Sequence, residues 1–376
     1  MVRWAALLLP GSAHLLERRW LGGGTALALW VGLLGLVVFR FRRVVDAVAS
    51  GTDGRIGLAV LLLVLLTVWI WSLKSGPRRS EKGASAGDGD WARLWGSFRE
   101  NRLAVVGLWV VFGFYLATFL TPFLTPYDPI FQPAFQTPEM GLLSAPPSAA
   151  HLLGTDGLSR DLFTRLLYGA RISLSIGFLA VGISVTIGTL LGAVAGYLGG
   201  WFDFVVMRLV DLFMAFPRLV LLIAIVALFD SSIFLIIVAL ALTQWPFMAR
   251  VVRGEILALK EREFAEAARA LGFSRTRIIF KHLLPNALGP LIVAATLGIG
   301  NTIILEAGLS FLGLGVQGPM PSWGRMVFDG RSYLLDAWWI TTFPGLAIVL
   351  VVLAFNLVGD GLRDALDPRQ VSEVRR

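Results

Sequence analysis

The sequence predicts an all-α polytopic membrane protein. Of its 376 residues, 56% are hydrophobic and only 15% charged. Seven stretches approach or exceed the roughly 20 apolar residues that cross a bilayer as a helix: Ile56 to Leu73, Leu103 to Leu120, Ile172 to Leu198, Phe204 to Phe229, Ile233 to Met248, Leu288 to Leu305 and Trp338 to Val358. Backbone groups in lipid must bond within their own segment, which leaves helices as the reading of such runs. A weaker, Gly-rich stretch, Leu21 to Val38, raises the expected spans to eight. An even number places both termini on one side.

Taken in order, the N-terminus offers Arg3 and then an apolar run, Trp4 to Leu9, too short for a signal peptide and interrupted by Pro10 and Glu17-Arg18-Arg19. It reads as uncleaved. The first two expected spans form a unit over residues 1 to 75, closed by a Gly/Ser-rich linker over 76 to 91 that contains Ser80-Glu81-Lys82-Gly83-Ala84-Ser85. Six spans follow in residues 92 to 368, and 369 to 376 form a tail. Between the third and fourth expected spans, residues 125 to 150 carry Pro126, Pro129, Pro133, Pro138, Pro146 and Pro147 without periodicity, hence a loop.

Loop charges orient the chain. Residues 74 to 102, 249 to 286 and the tail are rich in Arg and Lys, whereas 122 to 168 and 306 to 337 carry few, so the basic segments and both termini are expected in the cytoplasm. The 39-to-55 connection, with Arg40, Arg42, Arg43 and Arg55, falls outside by parity and breaks that rule. The net charge of +8 reports topology and anionic headgroups; no aromatic-interleaved basic patch points to nucleic acid. Cysteine is absent, histidines number three, and no Gly-x-x-x-x-Gly-Lys-Ser/Thr occurs, so no catalytic, cofactor or metal site is expected and the chain is not expected to hydrolyse ATP.

One polar island stands out from this background. Glu261-Arg262-Glu263-Phe264-Ala265-Glu266-Ala267-Ala268-Arg269-Ala270-Leu271 is built of strong helix formers, with Phe264, Ala268 and Leu271 on one apolar stripe and Arg262 four residues before Glu266. Gly272 suits a left-handed cap, Ser274 suits the start of a helix from Arg275 to Leu284, and Pro285 punctuates the entry to the next span. A basic loop of this kind ordinarily rests on headgroups as an interfacial helix. Here the stripe is narrow and Ala-rich where lipid favours bulk, and the Glu-Ala-Ala, Gly, Leu-Pro spacing resembles the cytoplasmic loop of ABC import permeases.

The resemblance extends further. His151-Leu152-Leu153-Gly154-Thr155-Asp156, Ser159-Arg160-Asp161 and Arg165 to Leu174 are similar to the segment leading into the second core span of dipeptide/oligopeptide permeases. Asp211-Leu212-Phe213-Met214-Ala215-Phe216-Pro217, Glu306 to Gly315 and Phe355 to Pro368 match further motifs of that family, so the likeness covers about residues 92 to 368. It implies a six-helix type I ABC importer permease core preceded by two extra N-terminal transmembrane helices. It also implies half of a translocation pathway in the inner membrane, completed by a second homologous permease. An ATP-binding cassette ATPase would grip Glu263, Phe264, Glu266, Ala267, Ala268, Gly272, Leu284 and Pro285, and an extracytoplasmic solute-binding protein would deliver the substrate. Short peptides are the implied solute, with nickel complexes, opines and sugar oligomers as other branches of the type. Departures are His282 before Leu283-Leu284-Pro285, which reads as a packed helix residue, Leu158-Ser159 in the Gly154 segment, and residues 1 to 75, which the likeness does not explain.

Polar residues within spans complete the candidates. Gln244, Asn301, Thr302 and Glu306 are candidates for lining the pathway, together with small residues such as Gly188, Gly192, Ala195 and Gly298. Asp211 is expected to pair with Arg208, and Asn356, Asp360 and Asp364 share one face near Arg363. The alternatives are an ion-coupled secondary transporter or another polytopic membrane protein, which would want charged groups at mid-membrane and inverted repeats.

Overall fold

The computed structural model describes residues 31–33, 35, 52–74, 89–131, 143–229 and 231–366. Most of the first expected span, residues 76–88 of the expected linker, residues 132–142 and the tail therefore lie outside the described residues, and the last three linker positions, 89–91, begin a helix. Among the described residues every extended element is helical: α1 Thr52–Lys74, α2 Gly89–Glu100, α3 Arg102–Leu124, α4 Leu162–Leu198, α5 Gly200–Met214, α6 Arg218–Ala227, α7 Ile233–Leu259, α8 Glu263–Ala270, α9 Arg275–Phe311, α10 Trp323–Gly330 and α11 Trp339–Leu366. Five of these, α3, α4, α7, α9 and α11, are long and apolar enough to cross a membrane. A bent pair, α5 and α6, makes a sixth.

That bent pair is where the expected span Phe204 to Phe229 differs. It breaks at Ala215-Phe216-Pro217, and the two halves meet at 86°. The cause is local: Pro217 has no N–H to continue the ladder, and its ring pushes Phe216 out of the helical region. Pro246 in α7 and Pro290 in α9 are carried inside continuous helices instead.

The chain divides into two compact units. The smaller comprises Met1–Asp90 with Leu116–Asp128, the larger Trp91–Tyr115 with Pro129–Arg376. In the described part of the smaller unit, Gly57 lets α1 approach the last turns of α3, since a Cβ there would stand 2.7 Å from Phe119 O.

In the larger unit α4 and α7 form the closest pair. A Cβ on Gly188 would stand 2.5 Å from Met248 Cβ and 2.8 Å from Ala249 N, and one on Gly192 would meet Ala249 O. Small residues permit such backbone approach where lipid supplies no hydrophobic drive between helices. Gly188 and Gly192 are therefore packing residues here and do not line an opening. Around this pair lie three buried clusters. One joins α4 to α10 and α11 about Trp323 and Trp339, one joins α4, α6 and α7 about Leu222 and Ile236, and one gathers the end of α7 with α8 and the start of α9.

The segment before α4 is tied by side chains. Asp156 accepts from Leu158 N (2.9 Å), Arg160 N (3.0 Å) and Arg160 Nε (2.7 Å), which turns the chain through Ser159 at φ 60°. Asp161 then caps α4 by accepting from Thr164 N at 2.8 Å, while its other oxygen faces His151 Nδ1 at 2.9 Å. The geometry around Leu158-Ser159 is thus set by an aspartate ring, and the Arg160 and Asp161 motif residues are structural ties.

Candidate functional site

Two places in the larger unit gather the sequence-predicted residues. The first is α8 and its flanks. Leu259 ends α7, and a short turn leads to α8, whose eight residues carry Glu263 and Glu266 in the first turn and Arg269 in the last, each suited to the helix dipole. Gly272 takes φ 72°, and Phe273 N–H returns to Ala268 O at 3.2 Å, closing the helix. Ser274 accepts from Arg277 N, as expected for a cap. Then the helix widens: Ile278–Leu283 is a π segment in which Leu284 N–H reaches back five residues to Ile279 O. Pro285, which cannot donate, follows this wide turn directly.

The stripe expected to face outward, Phe264, Ala268 and Leu271, does so only in part. Ala265 and Ala268 are buried against Val252 and Ile256 of α7 and Ile278, Ile279 and Leu283 of α9. The exposed face carries Glu263, Glu266 and Ala267 with Phe264 (40% exposed) and Leu271 (71%). The apolar stripe Phe264, Ala268, Leu271 is therefore split: alanine inward, phenylalanine and leucine outward. Ala268 belongs to the chain's own core and is not part of an outward-facing surface. Leu284 is half-buried and Pro285 exposed at the foot of α9. Arg262 and Glu266 form no ion pair, while Arg269 donates to Lys260 O at 2.7 Å. His282 stacks on Phe273 with ring centroids 5.5 Å apart, a packed helix residue as the sequence suggested.

The second place is a cavity of about 570 Å³ between the α5–α6 break, α7, α9 and α11. Phe213, Met214, Phe216 and Phe247 give it an apolar wall, and Gln244, Asn301, Asn356 and Arg218 supply polar groups. Arg218 donates to Gln244 Oε1 at 2.9 Å and to Leu240 O at 3.3 Å. Thr302 donates to the same Gln244 oxygen at 2.7 Å from a fully buried position behind it. Gly298 makes room for the Gln244 side chain, because a Cβ there would meet Gln244 Nε2.

Of the four polar candidates, Gln244 and Asn301 reach this cavity and Thr302 supports it, but Glu306 does not. Glu306 is fully buried, with hydrogen bonds from Ser310 (2.8 Å), Ser322 (3.1 Å) and Ser173 (3.4 Å), and so ties α4, α9 and the cap of α10 together. Its three hydroxyl donors account for a carboxyl in the interior. Asp211 bonds Arg250 of α7 at 2.8 Å, whereas Arg208 lies over the Phe204 ring. Arg253 grips Asp203 through two nitrogens, a second tie from α7 to α5. Asp364 accepts from Asn101 at 3.2 Å, and Asn356, expected with it in a terminal charge cluster, lies on the cavity. Arg218 was missed, although an arginine directly after the proline of a recognised motif, at the head of the apolar run Leu219 to Leu228, is a readable signal.

The chain matches two family profiles. Residues 188–372 match the binding-protein-dependent transport system inner membrane component, and residues 90–147 match the N-terminal TM domain of oligopeptide transport permease C. The dipeptide transport system permease protein DppC of Alkalihalophilus pseudofirmus is 46% identical over 282 residues, 75% of this chain and 91% of that protein. The DppC of Bacillus subtilis is 43% identical over 276 residues, 73% of this chain and 84% of that protein. The glutathione transport system permease protein GsiD of Pectobacterium atrosepticum is 48% identical over 227 residues, 60% and 75% of the two chains. A chain of the MetNI methionine ABC transporter covers 54% of this chain at 23% identity, 97% of its own length being matched, and with a TM-score of 0.44 the superposition is too loose to relate residues.

Proposed function

This chain belongs to the binding-protein-dependent inner-membrane permeases of the dipeptide and oligopeptide type, and from that membership we propose the parts of its function set out here. It is a transmembrane permease subunit of an ATP-binding cassette importer and supplies part of the translocation pathway. The solutes proposed are short peptides, as the names of its relatives suggest. The pathway includes the cavity at Gln244 and Asn301 and is completed by a second homologous permease. A solute-binding protein delivers the solute from outside. ATP is hydrolysed on separate subunits, and both termini lie in the cytoplasm.

The observation that carries the coupling reading is the two-faced α8. Ala265 and Ala268 are sunk in the chain's own core, while Phe264 and Leu271 stand exposed beside Glu263 and Glu266. Exposed aromatic and aliphatic anchors ringed by polar groups are what a partner's pocket buries. This surface is proposed to seat in a groove of the ATPase. Phe264→Asp with Leu271→Asp is expected to leave the chain inserted and folded yet abolish co-purification with the ATPase and peptide uptake. ATPase retained at wild-type levels by the double variant would overturn the docking reading.

A further inference from the structure

The cavity at the α5–α6 break holds a charge that packing alone does not explain. Arg218 begins α6, at the head of the apolar run Leu219 to Leu228, and is half-buried. Its hydrogen-bond partners are all neutral: Thr243 Oγ1 at 3.3 Å, Leu240 O at 3.3 Å and Gln244 Oε1 at 2.9 Å. Among the described residues no carboxylate pairs with it, in contrast to Arg250 and Arg253 of the same region, each of which has its aspartate. Charged groups in a membrane are costly and ordinarily pair with one another or face a cavity. Of the five guanidinium donors these neutral acceptors engage Nε and Nη2, which leaves the two N–H groups of Nη1 for an anion in the cavity.

The surroundings fit an organic anion of moderate size. A volume of about 570 Å³ falls in the range of small-molecule sites, roughly 300–1,000 Å³. Asn301 and Asn356 bring amide groups from α9 and α11, and Phe213, Met214 and Phe247 offer apolar surface for side chains. We propose that Arg218 is a subsite for the carboxylate of the transported solute, with Asn301 and Asn356 beside it and the aromatic wall receiving apolar side chains. The proposal rests on the transport reading above, and it names a group that every short peptide with a free C-terminus shares. Recognition at Arg218 is therefore general across peptides and leaves their ranking to the binding protein.

The test uses the full transporter, with its partner permease, ATPase and binding protein, reconstituted in vesicles without anionic lipid. Uptake of alanyl-phenylalanine is compared with that of its C-terminal amide for wild type, Arg218→Gln and Arg218→Lys. Discrimination by the binding protein is common to all three, so a change in the acid-to-amide ratio belongs to the permease. The ratio is expected to fall at least tenfold in Arg218→Gln and to be partly kept in Arg218→Lys. An unchanged ratio, or an equal loss of both uptakes, would make Arg218 a structural group holding Gln244 and overturn the proposal. If Arg218→Gln fails to assemble, Asn356→Asp decides the matter by placing a competing carboxylate in the same cavity: a ratio lowered severalfold supports the subsite, and an unchanged one refutes it. Should the ratio respond only when anionic lipid is added, the ligand is a headgroup and the solute subsite is refuted. Absence of any peptide uptake in wild type would instead remove the transport reading itself, a separate result from an unaltered ratio.

Discussion

Replacing Gly192 with alanine isolates the energetic weight of the α4–α7 contact. The added methyl would lie against Ala249 O, far inside the 3.3–3.6 Å at which a carbon and a carbonyl oxygen normally rest. The oxygen is backbone within a continuous helix, so it has no rotamer through which to yield. Relief requires α4 and α7 to part along the line where Gly188 is already confined by Met248 and Ala249. Overpacking of this kind costs about 1–3 kcal/mol, and the better helix propensity of alanine offsets about 0.5–1 kcal/mol. Net destabilisation is therefore about 1–2 kcal/mol. Gly182 on the same helix supplies the control, because a Cβ there meets nothing within 4 Å. Gly182→Ala keeps only the propensity gain, which separates the two variants by about 2 kcal/mol, or a gap of about 4–8 °C in unfolding midpoint at 2–4 °C per kcal/mol. Thermal unfolding of both purified proteins in one detergent measures this gap. Equal midpoints, or a Gly192→Ala protein more stable than wild type, would refute the claim that this helix pair is held at its steric limit.

Other expectations follow from the same geometry. Glu306→Ala strips the acceptor from three buried serine hydroxyls and should cost about 1–3 kcal/mol, whereas Glu306→Gln keeps an acceptor and should cost less, with detergent-phase yield and midpoint as readouts. A cysteine at the exposed Leu335 should react with an impermeant thiol reagent from outside intact cells and one at Ala270 should not; equal labelling would reverse the proposed orientation. Thr302→Ala and Gln244→Ala should slow uptake without reordering preference among di- to pentapeptides in competition assays, and a reordered series would place selection in the permease.

How much of this was readable differs by element. Long apolar runs located α1, α3, α4, α7, α9 and α11, because span length is a property of the chain itself. The α5–α6 break was signposted by Pro217, yet hydropathy alone passed over it, since both halves are equally apolar. On α8 the helix, the Gly272 cap and Ser274 were legible from local chemistry. Which face turned inward was not, because periodicity fixes a stripe but the neighbours Ile256, Ile278 and Leu283 decide what it meets. Asp211 and Asn356 show the same limit: partners 39 residues away on α7, or a cavity made by five helices, leave no trace in spacing. Glu306 looked like a pathway residue because an acid in a span is conspicuous, and its three serine donors come from separate segments.

The single helix α7 links the two places of interest. It runs unbroken for 27 residues, with Gln244 on the cavity and Ile256, three residues from its end, against the alanines of α8. Twelve residues at 1.5 Å each separate those points by about 18 Å. The joint at the lower end is a tight apolar seat with no flexible arm, so α8 cannot be displaced sideways without carrying the end of this rod along. Two ionic clasps, Arg250 to Asp211 and Arg253 to Asp203, tie the same stretch to α5, and Ala249 is pressed against Gly188 and Gly192 of α4. The Gln244 wall of the cavity and the seat of α8 are thereby two ends of one packed body.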